Sequence, residues 1–308
     1  MTRFDESQKL RIFLIFSFIF IAVTNRYFSY EDSVIFGARD GVDYFLIARS
    51  FPDITYDTLE YHKAWRFIIP TLLGFIGKIF NIDLYLLFRI FVFIFSGLTI
   101  LVFYKIIKFL KINDFQIFFL SSFIIFNPYI FRYFIACPTM INDLIFINAG
   151  LFLVLGIIKN NKFFFYIGIL FSIITRQNSI FLFISIIIAK FFFKKNSFFK
   201  IKDLIFITVF YFLFFSLNSF FADFYSEYNY SYSLSERFSI FKFNYLLSDF
   251  IKYHLFPLII LLPLFGYLVI EKKKFQLSKI KSELFILIFL FIIFTVSTAY
   301  VGGPTITG

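Results

Sequence analysis

Along most of this chain, apolar runs of roughly 16 to 23 residues, the length that crosses a lipid bilayer, alternate with short connections that carry lysine. A soluble domain is about half apolar and about a quarter charged; here the fractions are 60% and 16%. Surface-to-volume scaling leaves a soluble core too few buried sites to absorb that excess. The expected fold is an all-α integral membrane protein of about nine transmembrane helices, built as one domain over 1–308. The spans are placed near 11–24, 82–104, 115–131, 141–158, 163–175, 179–193, 204–220, 254–270 and 283–300. The first run is followed by Asn25, Arg26 and Tyr27 rather than a small-residue cleavage site, so it reads as a retained helix.

One further apolar stretch, Trp65 to Phe80, is set apart. It is short and carries Arg66, Pro70, Gly74, Gly77 and Lys78, which fits an interfacial or partly re-entrant helix; interrupted backbone at membrane depth is tolerated where protein or a cavity covers it. Charge supports that choice. With the N-terminus inside, beside Arg3, Lys9 and Arg11, and 65–80 left outside, four lysine groups fall inside. They are Lys105, Lys108 and Lys111; Lys159 and Lys162; Lys190, Lys194, Lys195, Lys200 and Lys202; and Lys272, Lys273, Lys274, Lys279 and Lys281. This is the distribution that the positive-inside rule requires. Counting 65–80 as a span would turn every later group outward. The net charge of +11 is thus a topology signal, and nucleic acid is not an expected partner. The expected location is a multi-pass position in a bacterial inner (plasma) membrane, N-terminus cytoplasmic, in contact with membrane lipids.

Two outside segments are long, 25–81 and 221–253, and long loops in compact proteins are commonly functional. The second is rich in tyrosine (Tyr225, Tyr228, Tyr230, Tyr232) and suits the membrane interface. The chain stops just after the last span, at Gly302 to Gly308, which is compatible with a natural protein that continues further. The single cysteine, Cys137, permits no internal disulfide and reads as a small buried apolar residue.

Ionisable groups near membrane depth are costly and therefore candidates for function. In the stretch from Arg39 to Arg49, read as a juxtamembrane helix, Asp40, Asp43, Tyr44 and Ile47 share a face. Asp40 suits a helix N-terminus, where the exposed amides favour a carboxylate; it equally suits a general base, or a metal ligand, at the membrane surface. His62 is either an ordinary interfacial histidine or a ligand group. Trp65 reads as an interface anchor. Arg66, at the start of an apolar helix, needs an anionic partner, for which phosphate has the matching bidentate geometry. Arg132 lies on the outer turn before the fourth span, and Asp143 begins that span as a cap or a site carboxylate. Arg176 and Gln177 break two short apolar segments at a hairpin tip, where an arginine either snorkels or binds an anion. There is no glycine-rich phosphate loop, no metal-type Cys or His spacing and no serine elbow. The informative feature is convergence on one membrane face from four parts of the chain.

The pattern Asp40-Gly41-x-x-Tyr44-x-x-Ile47-Ala48-Arg49 resembles the first-loop motif of the GT-C superfamily of lipid-dependent glycosyltransferases, among them aminoarabinose transferases and relatives of protein O-mannosyltransferases. Arg66-Phe67-Ile68-Ile69-Pro70 is similar to the Arg-x-x-x-Pro segment that follows the motif. Asp143, Thr175-Arg176-Gln177 and the Gly303-Pro304-Thr305-x-Thr307-Gly308 terminus also resemble family features. Gly41 stands where many members have the second acid of an Asp-Glu pair. The resemblance implies transfer of a sugar from a polyprenyl-phosphate-linked donor to a glycan, lipid or protein acceptor on the non-cytoplasmic face, with inversion. It implies Asp40 as base, Arg66 and Arg176 on the donor phosphate, and Asp143 supporting the acceptor or a divalent ion. Asp43, Tyr44, His62, Arg132 and Gln177 would complete the substrate-binding wall. Some members use Mg or Mn, which Asp40 or Asp143 would ligate here; others use no cofactor.

Three other classes make different demands. A transporter or lipid flippase predicts interrupted spans with polar groups at mid-membrane and internal symmetry. An O-antigen-type polysaccharide polymerase places its arginine-rich loops later in the chain. A membrane scaffold would scatter its outer charges.

Overall fold

The structure is a computed structural model that describes residues 6–24, 39–52, 61–109, 132–176, 179–192 and 200–225. Among these residues the chain is helical, with no strand. The helices are α1 (Glu6–Thr24), α2 (Arg39–Ser50), α3 (Tyr61–Ala64), α4 (Ile68–Phe80), α5 (Leu84–Phe109), α6 (Tyr133–Ala136), α7 (Ile141–Lys159), α8 (Lys162–Thr175), α9 (Ser179–Phe192) and α10 (Ile201–Tyr225), with a 3-10 turn at Pro138–Met140 before α7. The expected spans at 115–131, 254–270 and 283–300, the loop beyond Tyr225 and the terminal Gly-Pro-Thr motif lie outside the described residues.

The chain divides into two units, one of Met1–Ser179 and Lys200–Asn229, the other of Ile180–Phe199 and Tyr230–Gly308. Of the second, only the residues of α9 from Ile180 onward are described. In the first unit, side-chain contacts fix the direction of each helix. Arg11 of α1 lies over the ring of Tyr104, and Phe18 meets Phe93 edge-on, so α1 and α5 are antiparallel. Asn148 of α7 donates to Phe95 O and Thr99 Oγ1, while Val102 and Ile106 pack with Phe152 and Leu155, so α5 and α7 are parallel. Helices α7 and α8 form an antiparallel hairpin. Its turn is local chemistry: Asn160 takes a left-handed conformation (φ 55°) that closes α7, and the Asn161 side chain accepts from Phe163 N to open α8. The backbones approach closely because Gly156 lies against Phe165 and Gly168 against Ala149 O and Leu153; a Cβ on Gly156 would stand 2.6 Å from Phe165 N.

The two ends of this unit differ in chemistry. At one end gather the exposed cations Arg11, Lys105, Lys108, Lys159, Lys200 and Lys202. There Asp203, buried at the start of α10, accepts from Lys162 Nζ at 2.6 Å and from Tyr166 OH at 2.5 Å, tying α10 to α8. The other end collects the start of α5, the start of α7, the end of α8 and the end of α10, with α2, α3 and α4 among them. Helix α4 crosses α2 where Gly74 meets the Ala48 carbonyl, with no room for a Cβ. It stops at Asn81, whose left-handed backbone (φ 49°) returns its N–H to Gly77 O.

Among the described residues, three helices are long and apolar enough to cross a membrane: Leu84–Ile106, Pro138–Lys159 and Ile201–Ala222. Their outward faces carry large apolar side chains; Val209 is 60% exposed and Phe220 70%, a density that water-soluble monomers avoid. Helix α4 has 13 residues, about 20 Å at 1.5 Å per residue, short of the bilayer core and in keeping with its separation from the spans. Helix α8 and the described part of α9 have 14 residues each, close to the expected bounds of 163–175 and 179–193.

Candidate functional site

Helix α2 is amphipathic along the expected line. Asp40 stands in its first turn and Arg49 in its last, each matched to the helix dipole. Tyr44, Ile47 and Ala48 are buried. Asp40 and Tyr44 then meet Arg66, which follows α3: its Nη1 donates to Asp40 Oδ2 at 2.9 Å and to Tyr44 OH at 2.6 Å. Asp43, one step round the helix, instead receives Lys63 Nζ at 2.8 Å.

The 3-10 turn and α7 supply the other wall. Thr139 lies against Gly41, where a Cβ would collide with Thr139 Oγ1, so a second acid after Asp40 has no space in this packing. Buried Asn142 donates from Nδ2 to Arg66 O at 3.2 Å. The next residue, Asp143, receives Arg176 Nη2, which closes α8 onto the start of α7. Three carboxylates (Asp40, Asp43, Asp143) thus face three cations (Lys63, Arg66, Arg176) at one end of the unit.

The electrostatics mark this as one site. Burial, assisted by Asp143 and Asp40 and opposed by Arg66 and Arg176, pushes the Tyr44 phenol up to about 12. Burial works against the Arg66 cation, but Tyr44, Asp40 and Asp143 outweigh it and its pKa is raised, so Arg66 is a fixed positive charge. Tyr133 of α6 feels the same groups: burial first, then Cys137, Asp143 and Asp40 against Arg176, pushes its phenol up to about 12. Cys137 is buried, and burial pushes its thiol up.

The structure therefore brings together Asp40, Tyr44, Arg66, Asp143 and Arg176, with Asp43 beside them through Lys63. Arg132 is exposed and immediately precedes α6. Gln177 and the side chain of His62 lie outside the described residues. Tyr44 is fully buried with its hydroxyl engaged by Arg66, so it reaches a ligand only through Arg66. The interface-anchor reading of Trp65 is corrected. Trp65 is buried among Ile47, Ala64 and Ala222 and meets Phe215 edge-to-face, because the end of α10 covers the loop that carries it. Sequence reading missed Asn142, Thr139 and Tyr133 as parts of the site; only proximity to Asp143 pointed to them.

Among the described residues, no three His, Cys, Asp or Glu side chains come together as a metal-ligating set. Each of Asp40 and Asp143 already faces a guanidinium, a donor set unlike the carboxylate and carbonyl oxygens that a hard divalent cation takes. No family model, curated protein or solved structure matches this chain.

Proposed function

We propose that this chain is a multi-pass membrane glycosyltransferase of the GT-C type that uses a polyprenyl-phosphate-linked sugar at the non-cytoplasmic face. The observation that carries the reading is the gathering of two carboxylate–guanidinium pairs, the partly exposed Asp40 with Arg66 and Asp143 with Arg176, at the end of the helical unit opposite its exposed lysines. With the lysine end inside, that site faces out.

The chemistry asks for these groups. The acceptor hydroxyl gives its proton to Asp40 as its oxygen attacks the anomeric carbon from the side opposite the phosphate. The bond from that carbon to the phosphate oxygen breaks with inversion. The leaving polyprenyl phosphate passes from one negative charge to two, and a guanidinium of the site stabilises the added charge. Asp40 keeps 22% of its side chain exposed while Arg66 engages Oδ2, which leaves it a face for an acceptor. The carboxylate–arginine pairs lie at one end of the unit rather than at mid-span, which favours transfer over transport.

Sealed membrane vesicles test function and orientation together. Right-side-out vesicles bearing the chain are expected to move labelled sugar from a polyprenyl-phosphate donor to acceptor supplied outside. Inverted vesicles are expected to do so only after permeabilisation. Absence of transfer from a panel of such donors, in either orientation, would contradict the reading.

A further inference from the structure

The two arginines of the site are held differently. Arg66 has 9% of its side chain exposed and Arg176 has 25%. One nitrogen of Arg66 serves both Asp40 and Tyr44, and its backbone carbonyl is pinned by Asn142. Its Nε is buried and makes no hydrogen bond, so this guanidinium is enclosed on that side and offers a lipid phosphate no open fork. Arg176 sits at the end of α8 in extended backbone (φ −143°, ψ 135°), with Asp143 as its partner. Asp143 is itself 17% exposed, so both members of that pair can be reached and a phosphate oxygen can replace the carboxylate one for one. Adjacent residues on the first turn of α7 thus organise two halves: Asn142 fixes Arg66, and Asp143 holds Arg176.

We propose that the two arginines divide the work: Arg66 is a positioning residue that aims Asp40 at the acceptor, and Arg176 is the guanidinium that binds the donor phosphate, displacing Asp143. This inference rests on the glycosyl-transfer reading and assigns its two halves to separate residues. Tyr44 and Asn142 act on the acceptor half through Arg66 and touch no substrate.

Polyprenyl phosphate itself serves as the binding probe, titrated onto monodisperse detergent-purified protein, beside kinetics with the polyprenyl-phosphate sugar. Arg66→Gln is expected to bind the lipid with wild-type stoichiometry and affinity while kcat falls on the order of tenfold to a hundredfold, the loss of a charge-assisted hydrogen bond. Arg66→Lys should recover part of that kcat, because the ammonium restores the charge beside Asp40 without the fork. Arg176→Gln is expected to weaken lipid binding on the order of tenfold or more and to raise the donor KM. Retained stoichiometry separates lost positioning from lost folding. Arg66→Gln weakening lipid binding as much as Arg176→Gln would overturn the division. A wild-type protein that binds no polyprenyl phosphate would overturn the glycosyl-transfer reading, and this inference with it.

Discussion

Tyr44 shows how burial and charge combine at a single side chain. Its side chain is fully buried, and its hydroxyl accepts a hydrogen bond from the Arg66 guanidinium. With the phenol pushed up to about 12 by burial and by Asp143 and Asp40, Tyr44 is neutral across physiological pH and donates no charge to the site. The sign of its contribution follows. An unfolded tyrosine ionises near pH ~10, whereas folded Tyr44 keeps its proton to about 12. Between those values the unfolded chain has lost a proton that the folded chain retains, so stability falls as pH rises through that window and is unaffected below it. Tyr44→Phe is expected to flatten the alkaline decline of the melting temperature measured in detergent, and to lower stability near neutrality by about 1–3 kcal/mol through loss of a hydrogen bond to a buried charge. An unchanged alkaline slope would show that other tyrosines govern it.

Between elements, the site depends on how closely backbones approach. Helices α2 and α4 meet where Gly74 faces the Ala48 carbonyl, and that contact sets where Asp40 stands relative to Arg66. Gly74→Ala is expected to cost about 1–3 kcal/mol by overpacking and to lower activity by shifting α2. Gly150→Ala, on a helix face with nothing within 4 Å, should be neutral or stabilising by about 0.5–1 kcal/mol, since glycine weakens a helix interior. Comparable melting temperatures for the two variants would refute this account of the α2–α4 crossing. Much of the site at this level was legible in the sequence. Asp40, Arg66, Asp143 and Arg176 are charged residues at the ends of apolar runs, and the lysine pattern assigned those ends to one side. The partners were less legible. Nothing in the spacing says that Asp43 turns to Lys63 while Asp40 takes Arg66, or that Asn142 reaches the Arg66 carbonyl, because such contacts depend on helices distant in sequence. Trp65 was misplaced for the same reason: an aromatic beside a charged loop reads as interfacial until the Phe215–Ala222 end of α10 covers it. The bounds of α8 and α9 were legible, because the polar residues at 176–178 interrupt the hydropathy where α8 ends and α9 begins.

Across the described part of the molecule, three long apolar helices separate a lysine end clasped through Asp203 from an opposite end that concentrates acids and arginines. Base-assisted sugar transfer from a lipid phosphate is the activity we propose for this second end. The most direct test compares Asp40→Asn with Asp83→Asn in the vesicle assay. Both residues begin helices toward the same end; Asp83 accepts from Leu86 N as an exposed cap and has no place in the site. Asp40→Asn is expected to cut transfer by about 10²–10⁴-fold, the range supplied by a positioned general base, with donor binding retained, while Asp83→Asn stays near wild type. Full activity in Asp40→Asn would contradict the claim.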